Sequence, residues 1–354
     1  MALTRVDRQH HYLQLGQQRH YTLLPRSDGP VASFRNTTMS NKKIIAIVGA
    51  TGSQGGGLAR AILADPNSEF AVRAITRDVN SDKAKALKAL GADVVAADVD
   101  DVASITDAFK GAYGAYCVTF FWNHFSPEKE NASATNLANA AKTAGLEHVI
   151  WSTLEDTRRW IPLTDSRMPT LQGKYKVPHF DAKGEVDHIF IDLGVPTTFL
   201  YASFYWENFI SFGAGPKKGA DGLLALTLPI GNAKMAGVAA DDIGKVAYGI
   251  FKQGTSLVGQ KIGVAGELLT GSEMAAAMSK AIGQPVTFND VPPDVYRAFG
   301  FPGAEDLGNM FQFYRDFEGV CNEQRDVARA RGFAPELLAF DSWLEKNAGK
   351  IPLE

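Results

Sequence analysis

Short apolar runs alternate with amphipathic stretches along the first two hundred residues of this chain. The first run, Ile44 to Val48, is unbroken and rich in β-branched residues, which predicts a central parallel strand covered on both faces. Helical apolar spacing follows it from Leu58 to Leu63. The alternation predicts an α/β fold with a doubly wound parallel sheet and right-handed crossovers. Five further strand-like runs recur at residues 70–76, 93–97, 113–119, 148–153 and 195–201.

Beyond residue 202 the apolar pattern becomes shorter and more mixed, with a strand at 223–228 and closing helices at 301–317 and 335–347. We expect a smaller α+β C-terminal lobe, which would hold a substrate and return one strand to the main sheet. The first forty residues carry five arginines and no sustained apolar period, which predicts disorder. The predicted organisation is a disordered extension at 1–40, a nucleotide-binding domain at 41–202 and the lobe at 203–354.

A glycine turn separates the first strand from the first helix. Gly49, Gly52 and Gly55 stand at GxxGxxG spacing. Glycine is needed in such a turn because a Cβ would block both the tight bend and the approach of the backbone to a pyrophosphate. The partly positive helix N-terminus favours the same phosphate. Glycine-rich turns occur in many loops, but this strand-turn-helix context favours a dinucleotide.

The end of the second strand distinguishes two dinucleotides. NAD-specific domains carry an acid there, whereas this chain has Thr76 and Arg77. A guanidinium can hold a 2′-phosphate through paired hydrogen bonds, so NADP(H) is predicted. Two alternatives stay open: Asp78 could accept a ribose hydroxyl, or Arg77 could be a solvated surface charge. Asp98, at the end of the third strand, is expected near the adenine unless it caps the helix that begins near Asp101.

A second candidate site lies on the predicted helix at residues 179–193. Short-chain dehydrogenases pair a tyrosine with a lysine four residues later, and this helix carries His179 and Lys183 instead. Tyr175 precedes them, but Pro178 separates it from a continuous helix. Lys183 is expected to hold the nicotinamide ribose, with a snorkelling surface lysine as the alternative. His179 could act as an acid or base, or it could satisfy a polar group at the helix start.

Composition excludes several classes of partner. The formal net charge of −3 offers no footprint for nucleic acid or an anionic membrane, and no stretch is apolar for long enough to span a bilayer. Cys117 and Cys321 form no CxxC motif, which favours a reducing compartment. We therefore predict a cytoplasmic location, with an organelle transit segment within residues 1–40 as the alternative. Three histidines among the first twenty residues have no cysteine near them, so no metal site is predicted.

Five runs of sequence carry a family resemblance: GATGSQGG at residue 49, TR at residue 76, HFDAKGEV at residue 179, FYWENF at residue 204 and GFPGAEDLGNMFQFY at residue 300. Together they resemble the NmrA-like family of atypical short-chain dehydrogenase relatives, from Lys43 to the C-terminus. The resemblance implies a Rossmann domain that binds NADP(H). One departure is Ala132, which stands where a family member carries a lysine and so removes one phosphate contact.

The resemblance also implies which residues surround the cofactor. Tyr205 and Trp206 could equally pack between the lobes. The implied set comprises a phosphate loop of Gly49, Ala50, Thr51, Gly52, Ser53 and Gln54, the 2′-phosphate ligand Arg77, the adenine neighbours Asp98 and Val99, the path to the nicotinamide along Thr119, Phe120 and Phe121, the ribose ligand Lys183, and Tyr205, Trp206, Glu207 and Asn208 over the nicotinamide.

Two functions remain open. Several members of the family lack the tyrosine and turn nothing over, which implies a redox sensor or regulator whose nucleotide occupancy changes its conformation or association. Such a sensor needs two states with different affinity for the nucleotide. The change between them would act on a regulatory protein partner or on a homodimer. The alternative is an NADPH-dependent reductase of a quinone or related carbonyl, with His179 or Lys183 assisting proton delivery.

Overall fold

The computed structural model describes residues 42–219 and 221–353. The extension predicted to be disordered, and the transit segment considered within it, lie outside the described residues. The strands in the described part are β1 (Lys43–Val48), β2 (Phe70–Thr76), β3 (Asp93–Ala96), β4 (Gly114–Cys117), β5 (His148–Thr153), β6 (Thr197–Tyr201), β7 (Phe204–Tyr205), β8 (Lys217–Lys218), β9 (Leu224–Leu228), β10 (Met235–Val238), β11 (Lys261–Gly263), β12 (Glu267–Leu269) and β13 (Val286–Asp290).

The helices of the same part run between and around these strands. They are α1 (Ser53–Ala64), α2 (Asp82–Ala89), α3 (Val102–Phe109), α4 (Pro127–Ala144), α5 (Pro178–Asp192), α6 (Asn208–Ser211), α7 (Ala240–Gln253), α8 (Gly271–Ile282), α9 (Pro293–Arg297), α10 (Ala304–Asp316), α11 (Glu318–Gln324), α12 (Val327–Phe333) and α13 (Phe340–Asn347). In this part of the chain, none of them combines the length and apolar character needed to cross a membrane.

The main sheet has seven strands in the order β11-β6-β5-β4-β1-β2-β3, and every pairing in it is parallel. The chain adds strands first on one side of β1 and then on the other, so the order reverses between β1 and β4. Ligands bind at such a switch point, beyond the carboxyl ends of the strands. The predicted doubly wound parallel sheet is confirmed, and β11 is the strand that returns from beyond residue 202.

Burial of both sheet faces follows from the side-chain alternation of β1. Ile45 and Ile47 belong to a core shared with α1 and α7, whereas Ala46 and Val48 belong to a second core shared with α3, α4 and α5. Successive strand residues point to opposite faces, so an unbroken apolar run is what a strand between two helical layers requires.

Glycines allow α1 and α7 to cross with their backbones in close approach. A Cβ added to Gly57 would lie 2.4 Å from the carbonyl oxygen of Asp241, and one added to Gly244 would lie 2.0 Å from the amide nitrogen of Leu58. Both obstacles are backbone atoms, so any larger residue would push the helices apart. This contact fixes α7, and through it the following strand β11, against the nucleotide-binding half of the sheet.

The C-terminal region builds a third core from two small sheets, β12-β10-β7 and β13-β9-β8, with helices that include α8, α10 and α13. Arg325, between α11 and α12, fixes this region to the main sheet. Its buried guanidinium pairs with Glu155 beyond β5 and donates two hydrogen bonds, of 3.1 and 2.9 Å, to the carbonyl of Ala202. The predicted α+β character is confirmed here, while the division of the chain at residue 202 stays a prediction.

Two details differ from the expected elements. β4 ends at Cys117, so residues 118–120 leave the sheet two positions earlier than the apolar run predicts. The predicted closing helices correspond to α10 and α13, and the short helices α11 and α12 between them were not predicted. A seven-residue helix offers too few turns for its apolar period to stand out.

Candidate functional site

The glycine turn after β1 has the geometry of a cradle. Gly49 has a φ of +65°, which favours glycine, and a Cβ there would lie 3.0 Å from Cε1 of Phe120. A Cβ on Gly55 would lie 2.7 Å from the carbonyl oxygen of Gly49, a backbone atom that cannot move aside independently. Gly52 is the N-cap of α1 and provides no side-chain cap, so the first amides of the helix are free for an anion.

Gln54, in the first turn of α1, uses its side chain inside the protein. Its Oε1 accepts hydrogen bonds from the hydroxyl of Tyr116 and from Oγ of Ser152, the latter at 2.8 Å, while its Nε2 donates to the hydroxyl of Tyr205. Burial raises the pKa of Tyr205 to about 12, so this phenol is neutral. The phosphate loop therefore contacts Tyr205 through Gln54, which can offer a phosphate only its backbone. The place of Tyr205 over the nicotinamide stays a prediction.

A cleft of about 370 Å³ adjoins the phosphate loop. The loop residues 50–53 form one wall, and Lys83 of α2 lies on another. Arg60 also borders the cleft, although Asp241 pairs with it. Lys83 and Arg60 were missed by sequence reasoning, because isolated basic residues on exposed helix faces are the ordinary surface of a protein.

The strand ends beside the loop favour Arg77 over Asp78 as the group facing a ribose phosphate. Arg77 is exposed and has no ion-pair partner among the described residues. Asp78 instead turns into the β2–α2 loop, where its Oδ1 accepts a hydrogen bond of 2.8 Å from the amide of Asn80. Of the alternatives considered for the end of β2, the ribose-binding role of Asp78 has the less favourable geometry.

Asp98 does not cap the helix that follows it. Its Oδ1 accepts from the amide of Asp100 at 3.0 Å, and the cap of α3 is Asp101, whose Oδ1 accepts from Ala103 at 3.0 Å. Val99 lies beside Asp98, and its carbonyl accepts a hydrogen bond of 3.0 Å from Nδ2 of Asn136 on α4. Both residues lie at the carboxyl end of β3, at the same edge of the sheet as the phosphate loop.

Lys183 is buried in a charged network rather than extended into solvent. Its Nζ lies 2.7 Å from Oε1 of Glu130 and donates to Oγ1 of Thr119 at 2.6 Å, while Thr119 donates to the same Glu130 oxygen at 2.5 Å. Burial alone would raise the pKa of Glu130, but the charge of Lys183 and the hydrogen bonds from His124, Lys183 and Thr119 hold that pKa at about 2. The site therefore contains a buried carboxylate that fixes the lysine.

Glu130 was not predicted as a site residue. It lies in the first turn of α4 within the run PEKEN, where an acidic residue is expected simply because it favours the helix N-terminus. Its complete burial, which the sequence does not reveal, distinguishes it from its exposed neighbours Glu128 and Lys129.

His179 forms a second buried pair with a carboxylate, one helical turn before Lys183. Its Nδ1 lies 2.6 Å from Oδ1 of Asp306, and its backbone amide donates to Oδ2 of the same carboxylate at 3.2 Å. The imidazole packs against Trp122 and Phe180, with ring centroids 4.8 and 4.7 Å away. Asp306 thus fixes the ring orientation and leaves Nε2 as the nitrogen that can exchange a proton.

A cavity of about 510 Å³ lies next to this His179–Asp306 dyad. Its walls come from the segment after β4, from the loop before α5 and from the α9–α10 turn. The lining residues are Phe121, Phe125, Leu171, Gln172, Pro178, Arg297, Ala298, Gly300, Phe301, Gly303, Ala304, Glu305 and Asp306.

The segment from Thr119 to Trp122 connects the phosphate loop to this cavity. Thr119 bonds to Lys183, the ring of Phe120 covers Gly49, and the ring of Phe121 lies 5.8 Å from that of His179. Residues 119–122 therefore form a continuous strip of contacts along the sheet edge. That Thr119, Phe120 and Phe121 line the path from ribose to nicotinamide stays a prediction.

Three predicted residues do not join this strip. Trp206 is 1% exposed and packs against Phe340, with ring centroids 5.2 Å apart, so it is a packing residue, but within the C-terminal core rather than between the lobes. Glu207 accepts from the amide of Ala240 at 2.8 Å and from Nε1 of Trp343 at 2.9 Å. Asn208 begins the short helix α6.

Tyr175 does not take the place of the missing tyrosine. It precedes α5 and pairs with Leu171 in an isolated antiparallel bridge. In the described ranges 42–219 and 221–353, no group of three or more His, Cys, Asp or Glu side chains has the arrangement of a metal site.

Residues 41–344 match the model of the NmrA-like family. The chain belongs to the NmrA-like family. The predicted family is thus confirmed. Among related proteins, the NmrA-like family domain-containing oxidoreductase cpsB of Aspergillus campestris is 29% identical over 294 residues, covering 77% of this chain and 83% of that protein. The oxidoreductase FrzB of Cladobotryum is 28% identical over 325 residues, covering 85% and 89%.

Solved structures agree with this membership. Nmra, a negative transcriptional regulator, has been solved in complex with NADP, and that structure is 26% identical to this NmrA-like chain with a TM-score of 0.71. The match covers 87% of this chain and 96% of Nmra. Nmra has also been solved in complex with NAD.

Proposed function

We propose that this NmrA-like protein is an NADP(H)-dependent reductase of a quinone or related carbonyl. The observation that carries the proposal is the His179–Asp306 dyad, which lies one helical turn before Lys183 and contributes Asp306 to the lining of the cavity of about 510 Å³. An imidazole held by a carboxylate beside a cavity is an arrangement suited to general acid–base catalysis. Relatives named as oxidoreductases support the same class of activity.

The phosphate loop fits a dinucleotide because glycine leaves the space that a pyrophosphate needs at Gly49 and Gly55. Arg77 would bind the 2′-phosphate, with Lys83 bordering the adjoining cleft. Asp98 and Val99 would border the adenine. Lys183, fixed by Glu130, would hold the nicotinamide ribose.

Bound NADPH supplies a hydride, and the acceptor also needs one proton to become an alcohol or a hydroquinone. His179 would deliver that proton from Nε2 in its protonated form, while Asp306 on Nδ1 stabilises the charged ring. Each turnover consumes one NADPH and one proton, and the proton returns to His179 from solvent. Lys183 favours the same transfer because its charge stabilises negative charge developing on the acceptor oxygen.

A redox sensor is the second candidate, and the likeness to the regulator Nmra favours it. In this function, nucleotide binding would rearrange Phe120 over Gly49 and Tyr205 on Gln54, and this change would reach a protein partner or a second copy of the chain. A ligand produces such a response only if it binds the two states with different affinity.

The first experiment is titration with NADPH and NADH, followed by NADPH oxidation at 340 nm with a panel of quinones and carbonyls. We expect NADPH to bind more tightly and at least one acceptor to be reduced. His179→Gln should lower kcat by about 10²- to 10⁴-fold, the usual contribution of a positioned acid, and leave the Kd for NADPH unchanged. The pH profile of kcat should also show one ionisation fewer in this variant than in the wild type.

Other outcomes separate the two functions. If no acceptor is reduced while NADPH changes the oligomeric state or the set of bound proteins, the sensor is correct. If an acceptor is reduced and His179→Gln keeps the full rate, the protein is a reductase in which the dyad is not the proton donor.

A further inference from the structure

The side chains that line the cavity beside the His179–Asp306 dyad indicate which class of ligand fits it. Phe121, Phe125 and Phe301 contribute aromatic surface, and Leu171, Pro178, Ala298 and Ala304 contribute the other apolar side chains. Flat aromatic walls of this kind favour planar aromatic ligands, because offset stacking adds to the burial of apolar area.

Backbone strain is concentrated at the same cavity. Among residues 42–219 and 221–353, the non-glycine residues with positive φ are Phe125 at 54° and Gln172 at 50°, and both line it. The side-chain amide of Gln172 lies 3.4 Å from the carbonyl of Phe125, so each supports the other. Strain of this kind persists mainly where it serves a site. Here it holds the ring of Phe125, which is 41% exposed, at the cavity wall.

A glycine brings the opposite side of the cavity close to this ring. Gly303 has a φ of +86°, and a Cβ there would lie 3.2 Å from Cε1 of Phe125 and 3.0 Å from Cζ3 of Trp122. The α9–α10 turn therefore packs against the aromatic rings without a side chain between them.

The charges of the cavity exclude one class of ligand. Arg297 is the basic residue of the lining, and its guanidinium is already bonded to Asn309 and Gln312, each at 2.9 Å, and to Asp294. The acidic residues of the lining are Glu305, which is exposed, and Asp306, which is paired with His179. An anionic ligand would meet both carboxylates without an unpaired cation to bind it.

We infer that the acceptor is an uncharged, planar aromatic quinone or carbonyl, stacked against Phe125 with its oxygen directed toward the His179–Asp306 dyad. This inference rests on the proposed reductase function, because it assigns the occupant of that reductase's acceptor cavity. Phe125 and Phe301 are then specificity-determining residues, and anionic acceptors are poor ligands.

A measurement of ligand binding tests the inference independently of turnover. Trp122 lies against the dyad, so its fluorescence should be quenched by 1,4-naphthoquinone in the presence of NADP⁺, where no hydride is available. We expect 1,4-naphthoquinone-2-sulfonate, which differs by one negative charge, to bind at least about tenfold more weakly. The Kd ratio is the decisive quantity, because the sulfonate also changes the reactivity of the ring.

Variants locate the effect. Phe125→Ala should weaken binding of the neutral quinone by about tenfold or more, and Phe125→Leu by less, since the leucine keeps apolar area but loses the ring. Leu223→Ala removes another exposed apolar side chain, outside the cavity, and should leave the Kd unchanged. Thermal unfolding of each variant shows whether the fold is retained.

Failure of this inference is distinguishable from failure of the proposed function. Equal Kd values for the neutral and sulfonated quinones, or a Phe125→Leu variant that folds and binds both as the wild type does, would overturn the assigned ligand class even if NADPH is oxidised. Selective binding of the neutral quinone without any NADPH oxidation would support the assigned class and contradict the reductase.

Discussion

Two parts of the sheet edge hold their functional groups in different ways. The nucleotide edge, residues 49–52, 76–78 and 98, uses backbone geometry and side chains held by contacts between near neighbours in sequence. The acceptor edge, His179 and Lys183 with their carboxylate partners, uses buried charges. The residues of these pairs are distant in sequence: His179 and Asp306 are 127 positions apart. Removing an exposed side chain from the nucleotide edge should therefore change the free energy of unfolding little. The buried pairs of the acceptor edge, by contrast, help to stabilise the fold.

The largest expected effect is at the acceptor edge. Glu130→Ala leaves the ammonium of Lys183 buried beside Thr119 without its carboxylate, and removing one member of a buried pair costs about 3–5 kcal/mol. We expect the free energy of unfolding, measured with urea, to fall by that amount.

The double variant Glu130→Ala/Lys183→Met is the control, because it removes both charges and should recover most of the loss. A loss below about 1 kcal/mol in the single variant would show that the pair is solvated, and the distinction between the two edges would then not hold.

Arg77→Ala tests the nucleotide edge and should have a smaller effect of another kind. Loss of hydrogen bonds to a charged group should weaken NADPH binding by about 1.5–3 kcal/mol and NADH binding much less, because NADH lacks the 2′-phosphate. The free energy of unfolding should change by less than about 0.5 kcal/mol. Calorimetric titration with each nucleotide measures the first effect and urea unfolding the second.

Lys85→Ala is the control, since it removes an exposed positive charge from α2 at a position that does not line the cleft. If Arg77→Ala weakens both nucleotides equally, Arg77 does not bind the 2′-phosphate.

The smallest expected effect depends on pH. Asp187, one turn after Lys183 on α5, accepts hydrogen bonds from Nε1 of Trp151 at 2.9 Å and Oγ1 of Thr153 at 2.6 Å, and burial raises its pKa to about 6. The unfolded chain has a value near 3.9, so the folded state holds the extra proton between about pH 4 and 6. Ionisation of this group therefore removes stability as the pH rises through that window.

Asp187→Asn cannot ionise, so its stability relative to the wild type should increase from pH 4 to 6 by about 1–3 kcal/mol and stay constant above. Asp181, with a similarly raised pKa, is present in both proteins and cancels in the comparison. Urea unfolding at several pH values measures the difference. A difference that does not vary with pH would mean that Asp187 is not held protonated by burial.

Much of the nucleotide edge was predicted from the sequence. The unbroken run from Ile44 to Val48 specified a strand between two layers, the glycine spacing specified the turn, and Arg77 followed from its place at a strand end. His179 and Lys183 were also predicted to share a helix face, since four residues are about one helical turn. Each of these predictions depends on contacts within a few residues, and the backbone periodicity makes those contacts regular.

Only the tertiary structure selected the partners at the acceptor edge. The sequence offers 39 acidic residues, and nothing in its periodicity identifies Glu130 as the carboxylate for Lys183 or Asp306 as the one for His179. Gln54 and Trp206 likewise contact residues that are distant in the sequence, Tyr205 and Phe340. Local pattern determines which elements form, because strand and helix periods repeat over a few residues. Which side chains become buried together depends on how those elements pack, and it is burial that turns an ordinary surface charge into part of a site.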